Sequence, residues 1–210
     1  MACRCAPVNT VDWSAFTDGV VLHAHKAPPD VMEFAVRQAV IEFAQTSLSI
    51  QRDVYIDAQA CVQDYEICLD DNYVVHSVRS VCVEGCDLTA RTEPVCDHIP
   101  SNQFYFENPD QLLVGRSPAE DKPGSIVVRT VVHPSPDSCS VDRWVYDRHS
   151  EAIAAGALSR LLLMKDSQWY SQREAAIHLR RWKTFKNRIK GAQAKNHIAG
   201  PVYMRTRRFV

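Results

Sequence analysis

The residues that could support catalysis or metal binding are scattered along this sequence. His23 and His25 are two positions apart, so one helical face cannot present both, and no carboxylate cluster follows them at ligand spacing. His149 and His178 fall on predicted helices that can face each other, with Asp147 nearby. A buried, hydrogen-bonded histidine explains that arrangement better than a metal or proton-transfer site does. We therefore predict structural or solvent-exposed histidines.

The other candidates for chemistry are equally isolated. Asp70 and Asp71 lie in a predicted turn, where acidic side chains cap backbone amides. A hairpin turn at residues 83–85 would bring Cys82 and Cys86 together as a disulfide or half of a metal site, although none of the 8 cysteines forms a CxxC pair.

Catalytic motifs are missing from the sequence. It contains no GxSxG, HExxH or SxxK arrangement, and its 7 glycines are too widely spaced for a phosphate-binding loop. An enzyme would need a site assembled from scattered residues. We predict a protein that is not an enzyme and has no catalytic residues, metal or cofactor.

Charge is distributed unevenly along the chain. Residues 160–210 contain 13 lysines and arginines against 2 acidic residues, a net charge of +11, whereas residues 1–159 carry −12. This layout fits a subunit that docks its basic end on an acidic protein or on nucleic acid. The alternative is a solvated basic helix face.

Hydrophobic periodicity predicts helix, then strands, then helices. Asp30 is a candidate N-cap for a helix over residues 31–47, and spacing of two indicates strands between residues 49 and 133. The proline-rich segment 88–124 is assigned to loops and short edge strands. A long helix that begins after Ser140 and a second helix then form a helical hairpin.

Both ends of the chain carry an apolar helical stripe, so one shared core is the economical fold. We predict an α+β protein with a single domain over residues 1–210. An antiparallel helical bundle formed by the N-terminal and C-terminal helices, residues 11–47 and 140–198, would carry a large β-strand insertion at residues 49–133. The predicted bundle core consists of Phe34, Phe43, Ile153, Leu161, Leu179, Trp182 and Phe185.

The chain ends in a segment, residues 200–210, that alternates aromatic or apolar groups with arginine. It is either a frayed tail or an extended arm that becomes ordered in a partner's groove. The side chains suited to anchoring an interface are Tyr203, Met204, Arg205, Arg207, Arg208 and Phe209.

Several segments together resemble a known protein family. They are YDRHS at 146–150, EAIAAGALSR at 151–160, LLLM at 161–164, Trp169, Phe185, FAVRQAVIEF at 34–43, Thr46, Ser47 and the strand around Tyr65. With these segments the sequence resembles the head-to-tail adaptor (connector) proteins of tailed bacteriophages, especially short-tailed ones. The resemblance extends over residues 13–209 and is most specific at 151–164.

The resemblance implies a structural virion protein at the head-tail junction, made in the host cytoplasm and without contact to a membrane. Such adaptors form a ring of about twelve copies that joins the portal protein to the tail nozzle or other tail proteins. Double-stranded DNA passes through the lumen without sequence-specific binding. The resemblance also implies that the C-terminal arm contacts the portal.

A second function remains open from the residues alone. The basic helix at residues 180–195 is also compatible with a nonspecific accessory protein that binds double-stranded DNA. Such binding would weaken steeply with added salt.

Overall fold

The order of elements along the chain is short helical turns, one long helix, a set of strands and two further long helices. A computed structural model describes residues 9–92, 99–107 and 109–196. A 3-10 turn spans Trp13–Phe16, and the α-helices are α1 (Asp18–Val21), α2 (Pro29–Ser47), α3 (Arg143–Leu161) and α4 (Gln172–Asn196). The strands are β1 (Thr10–Asp12), β2 (Gln51–Ala58), β3 (Asp64–Glu66), β4 (Tyr73–Val83), β5 (Cys86–Ala90), β6 (Gln103–Glu107), β7 (Gln111–Val114), β8 (Lys122–Pro134) and β9 (Ser140–Asp142).

The limits of α2 follow from local chemistry. Pro29 occupies the first turn, where its missing N–H costs nothing, and Asp30 there suits the positive end of the helix dipole. The helix ends where Leu48 takes a left-handed backbone conformation with φ of 53°. The prediction of a helix at residues 31–47 is therefore confirmed to within two residues.

The start of α3 differs from the prediction. Residues Ser140–Asp142 form β9, which pairs antiparallel with β1 from the beginning of the described chain. Because Val141 lies in this two-stranded ladder, the helix begins only at Arg143. A contact of long sequence separation thus overrides the helical pattern at these positions.

Seven strands form one large sheet in the order β2-β8-β4-β5-β6-β7-β3. Neighbouring strands are antiparallel except β5 and β6, which are parallel. The sheet is nearly closed. Apolar residues from β2 to β8, among them Val54, Tyr65, Phe104 and Leu112, pack together as its core.

A second core lies between the sheet and the helices. It contains Ala39 and Val40 of α2 and Leu158 of α3, together with Tyr73 of β4 and Val132 of β8. The helices and the sheet both contribute apolar side chains to this core. Removing that apolar surface from water stabilises the packing of the helical layer against one part of the sheet.

The prediction of an antiparallel helical bundle that carries a β insertion is wrong. The protein has a mixed α/β architecture in which strands account for 31% and helices for 38% of the described residues. The sheet is therefore a main part of the fold and not an insertion into a helical bundle. Part of the difference comes from residues 88–124, which were expected to form loops and short edge strands. They supply β6 and β7, which lie between β5 and β3 inside the sheet order.

A buried carboxylate ties the start of α3 to the sheet. The fully buried Asp142 forms an ion pair with Arg52 of β2 and accepts hydrogen bonds from the Tyr73 hydroxyl at 2.5 Å and from Trp144 Nε1 at 3.0 Å. Burial and the adjacent carboxylate raise the pKa of Tyr73 far above its ordinary value, so the phenol stays protonated and can donate. We call these four side chains the Asp142 network.

Candidate functional site

Helix α4 is attached to the protein by a narrow stripe. Its buried side chains among those described are Ala175, His178 and Trp182, and Phe185 and Ile189 are partly buried. These positions recur every three or four residues, so they lie on one side of the helix. Most of the circumference of α4 is therefore left in contact with solvent.

The centre of this stripe is Trp182, which is 2% exposed. Its ring packs beside Phe43 of α2, with 6.1 Å between the ring centroids, and against Ala152 of α3. Gly156 permits the close approach, because a Cβ there would lie 3.0 Å from Trp182 Cδ2. The indole thus fills the space where the three long helices meet.

Glu42 joins the same three helices through charge. Its carboxylate on α2 pairs with Arg160 of α3 and with Lys186 of α4. Burial alone would raise the pKa of Glu42, but the hydrogen bond and charge of Lys186, with the charge of Arg160, outweigh burial and lower it.

Replacing Glu42 with glutamine should lower the free energy of unfolding at pH 7 by about 1 kcal/mol or less, because the group is partly exposed and screened. A carboxyl whose folded-state pKa is lowered stabilises the protein above its unfolded-state pKa, near 4.5, and loses that contribution as the pH falls further. The difference between wild type and variant should therefore shrink below pH 4.5. Urea unfolding of wild type and variant at pH 7 and below pH 4.5 measures this difference in free energy. An equal difference at the two pH values would contradict a stabilising role for the ionised Glu42 carboxylate.

The exposed surface of α4 carries two groups of side chains that differ in chemistry, which we call its two flanks. The arginine flank carries Arg173, Arg180, Arg181 and Arg188 together with Ile177, and the lysine flank carries Lys183, Lys190 and Leu179. All eight side chains are exposed. Within residues 9–92, 99–107 and 109–196, none of the four arginines forms an ion pair.

Two histidines of the helical layer lie in different surroundings. His178 is 6% exposed and contacts His23, with 4.9 Å between the ring centroids. Burial, then the charges of His23 and Arg181, lower the pKa of His178, which therefore stays neutral near pH 7. His149 instead packs against Phe43, so the structure gives no contact between the two histidines on which a shared site would depend.

Most predicted core residues are buried, but two are not. Phe43, Ile153, Leu161 and Trp182 are fully buried and Phe185 is partly so, whereas Phe34 is 55% and Leu179 is 37% exposed. Placing Phe34 and Leu179 in the core was therefore wrong. Phe34 points away because Ala35, Val36 and Ala39 form the buried side of α2. On α4, His178 occupies the buried position next to Leu179.

The remaining candidates have the following outcomes. Cys82 and Cys86 are both free thiols on the β4 and β5 hairpin. Among the described residues, no group of three or more histidine, cysteine, aspartate or glutamate side chains could hold a metal ion. No described helix combines the length and apolar character needed to cross a membrane. The arm residues Tyr203, Met204, Arg205, Arg207, Arg208 and Phe209 lie outside the described residues.

Comparison with known proteins does not assign this sequence to a family. No protein-family model matches the sequence, and a comparison with curated proteins finds no match. The surface of α4 must therefore be interpreted from its own residues.

Residue patterns missed the polar groups that hold the helices in place. Apart from Trp144, which is two residues from Asp142, the side-chain partners of Asp142 and Glu42 are 69 to 144 residues away in sequence. No local spacing marks such pairs. One usable signal was Glu42 within the otherwise apolar residues 39–44, since a charge there requires a partner.

Proposed function

We propose that the protein is a head-to-tail adaptor, a structural virion protein that joins the portal to the tail of a tailed bacteriophage. The observation that carries the proposal is the position of α4, which is held by one narrow stripe while two unlike flanks remain uncovered. A closed ring built from one kind of subunit needs two different complementary faces on each copy. The resemblance of residues 146–164 to phage adaptors supports the same function.

The exposed surface also has the composition of a protein interface. Ile177 and Leu179 are 46% and 37% exposed on α4, and Leu163 and Tyr170 before it are 48% and 44% exposed. Apolar and aromatic groups interspersed with arginine are typical of surfaces that bind protein. A solvated helix face has no need of these apolar groups.

The proposal includes the ring of about twelve copies, the portal and tail partners, and the passage of DNA through the lumen. It assigns portal contact to the arm at residues 201–210, where aromatic side chains would enter pockets and arginines would pair with carboxylates. The protein would reside at the head-tail junction of the virion.

The test uses the full-length protein and the portal ring of the phage that encodes it. Size-exclusion chromatography with light scattering should show a complex in which several copies are bound per portal ring. Deleting residues 201–210 should abolish this complex, because the proposal assigns portal contact to this arm, and should leave the unfolding midpoint of the protein unchanged. A full-length protein that leaves the portal ring unchanged in mass would refute the proposal.

A second candidate is a nonspecific accessory protein that binds double-stranded DNA. The arginines without ion pairs on α4 favour it, because phosphates bind such side chains irrespective of sequence. A gel-shift assay separates the two functions. Retardation of duplex DNA that disappears steeply with added salt, without binding to the portal, would favour this candidate over the adaptor.

A further inference from the structure

A groove runs along α3 between the α1 region and the arginine flank of α4. Three adjoining cavities form it, and all three are lined by Glu151 of α3. The cavity at the arginine flank has a volume of about 440 Å³ and is lined by Arg180, Arg181, Thr184 and Phe185 besides Glu151. The neighbouring cavity, of about 90 Å³, reaches inward to the two contacting histidines, His23 and His178.

The groove contains polar groups whose hydrogen-bonding capacity is not used. His178 lines the small cavity, is only 6% exposed, and its Nδ1 atom has no hydrogen-bond partner. Arg181 lines both cavities, and neither it nor Arg180 is ion-paired within the described part of the chain. Because buried polar groups are normally satisfied, this combination indicates that another group completes the site.

We propose that this groove is a docking site for carboxylate side chains of a second copy of the chain. The contact would be heterologous, with the arginine groove of one copy facing an acidic surface of the next. The inference rests on the proposed adaptor function and specifies the contact between neighbouring subunits. Each copy would keep one groove and one acidic surface, so the contact can propagate until it closes into a ring.

Charge complementarity identifies the occupant. Residues 1–159 contain 23 acidic residues against 11 basic ones, so the rest of the chain can supply carboxylates that pair with Arg180 and Arg181. Only a few of these acidic groups, such as Asp53, Asp142 and Glu42, are ion-paired in the described part of the molecule. Arginine and carboxylate groups form strong charge-assisted pairs, which suits a repeated contact.

One feature favours a protein occupant over DNA. Apolar side chains line the groove, since Phe185 borders the large and the small cavity and Ala154 and Leu158 line the small one. Phosphate contacts gain nothing from such groups, whereas a protein interface does.

The experiment reverses charge on one flank of α4 at a time. The test variant is Arg180→Glu with Arg181→Glu. The matched control is Lys183→Glu with Lys190→Glu, which makes the same change in net charge on the lysine flank. Sedimentation velocity over a range of protein and salt concentrations gives the average mass of each protein, and circular dichroism confirms that both variants fold.

Wild type and control should show an average mass that rises with protein concentration and falls with added salt. The test variant should remain at the monomer mass of 23.7 kDa. It keeps its acidic surface, so it should also bind to the end of wild-type chains and lower their average mass when added in small amounts. The control variant should join the assemblies without shortening them.

The inference is overturned if the test variant associates as wild type does, if the control is impaired to the same extent, or if wild type stays monomeric at every concentration. Binding of duplex DNA that the test variant alone loses, without self-association, would assign the groove to DNA and also overturn it. The portal assay keeps the two proposals separate. Normal ring assembly of the test variant on the portal would reject the groove contact and leave the adaptor function standing. Absence of portal binding by wild type would reject the adaptor function, even where the groove contact is seen.

Discussion

Replacing Asp142 with alanine should lower the free energy of unfolding by about 3–5 kcal/mol. The carboxylate is fully buried and binds Arg52, Tyr73 and Trp144 at once. Its removal leaves the Arg52 guanidinium, whose side chain is only 17% exposed, without a counterion, and leaves the Tyr73 hydroxyl without its acceptor. Denaturant unfolding followed by both fluorescence and circular dichroism measures the change.

Asp53→Ala is the matched control for this prediction. Asp53 also pairs with an arginine and also lies on β2, but the pair is exposed, with 53% of the Arg129 side chain and 38% of the Asp53 side chain in contact with solvent. Exposed pairs contribute about 1 kcal/mol or less. A loss for Asp142→Ala that is no larger than the loss for Asp53→Ala would show that the Asp142 network does not hold α3 to the sheet.

The Asp142 network also determines where the docking surface lies. Asp142 immediately precedes α3, and its partners Arg52 and Tyr73 belong to β2 and β4. Helix α3 in turn provides Ala152 and Gly156, against which Trp182 of α4 packs. The sheet therefore orients the groove through α3, and we expect a defect in the network to weaken self-association as well as stability.

The long helices were predictable because their signal is local. An apolar residue every three or four positions marked α2 and the stripe of α4 without knowledge of the rest of the chain. The same rule failed at Leu179. It assigns the buried position to the apolar Leu179, whereas the neighbouring His178 is the residue that is buried. A neutral histidine that contacts His23 can occupy a buried position, and residue type alone does not reveal that contact.

The sheet could not be predicted in the same way because strand pairing depends on distant partners. Residues 88–124 look irregular in sequence, but β6 pairs with both β5 and β7 and is therefore an interior strand of the sheet. Near the end of this segment, a Cβ on Gly115 would lie 1.9 Å from the Pro100 carbonyl oxygen. Glycine is required there by a neighbour fifteen residues away, a constraint that appears only once the chain is folded.

The sequence predicted which residue types form the candidate site but not how they are arranged. The excess of basic residues after residue 160 indicated an acidic partner, and α4 does present four arginines on one flank. The groove beside them is formed by α1, α3 and α4 together, and Glu151 and His178 meet there from different helices. Such a site depends on how the helices pack, so local spacing could not reveal it.

Replacing Trp182 with alanine should lower the free energy of unfolding by about 3–5 kcal/mol, the cost of removing a buried aromatic side chain and leaving a cavity. The effect should be concentrated in α4. The only other buried side chains described on this helix are Ala175 and His178, and both are smaller than the indole. Hydrogen exchange should therefore show faster exchange of α4 amides, while the amides of β4 and β8 stay protected.

Phe34→Ala provides the control for Trp182→Ala, because it also removes an aromatic ring from a long helix. Phe34 is 55% exposed, so its loss should change the free energy of unfolding by no more than about 0.5 kcal/mol. Since Trp182 holds the arginine flank against α3, Trp182→Ala should also lose self-association, and Phe34→Ala should keep it. Similar stability of the two variants, or unchanged exchange in α4, would contradict the view that this one side chain anchors the helix.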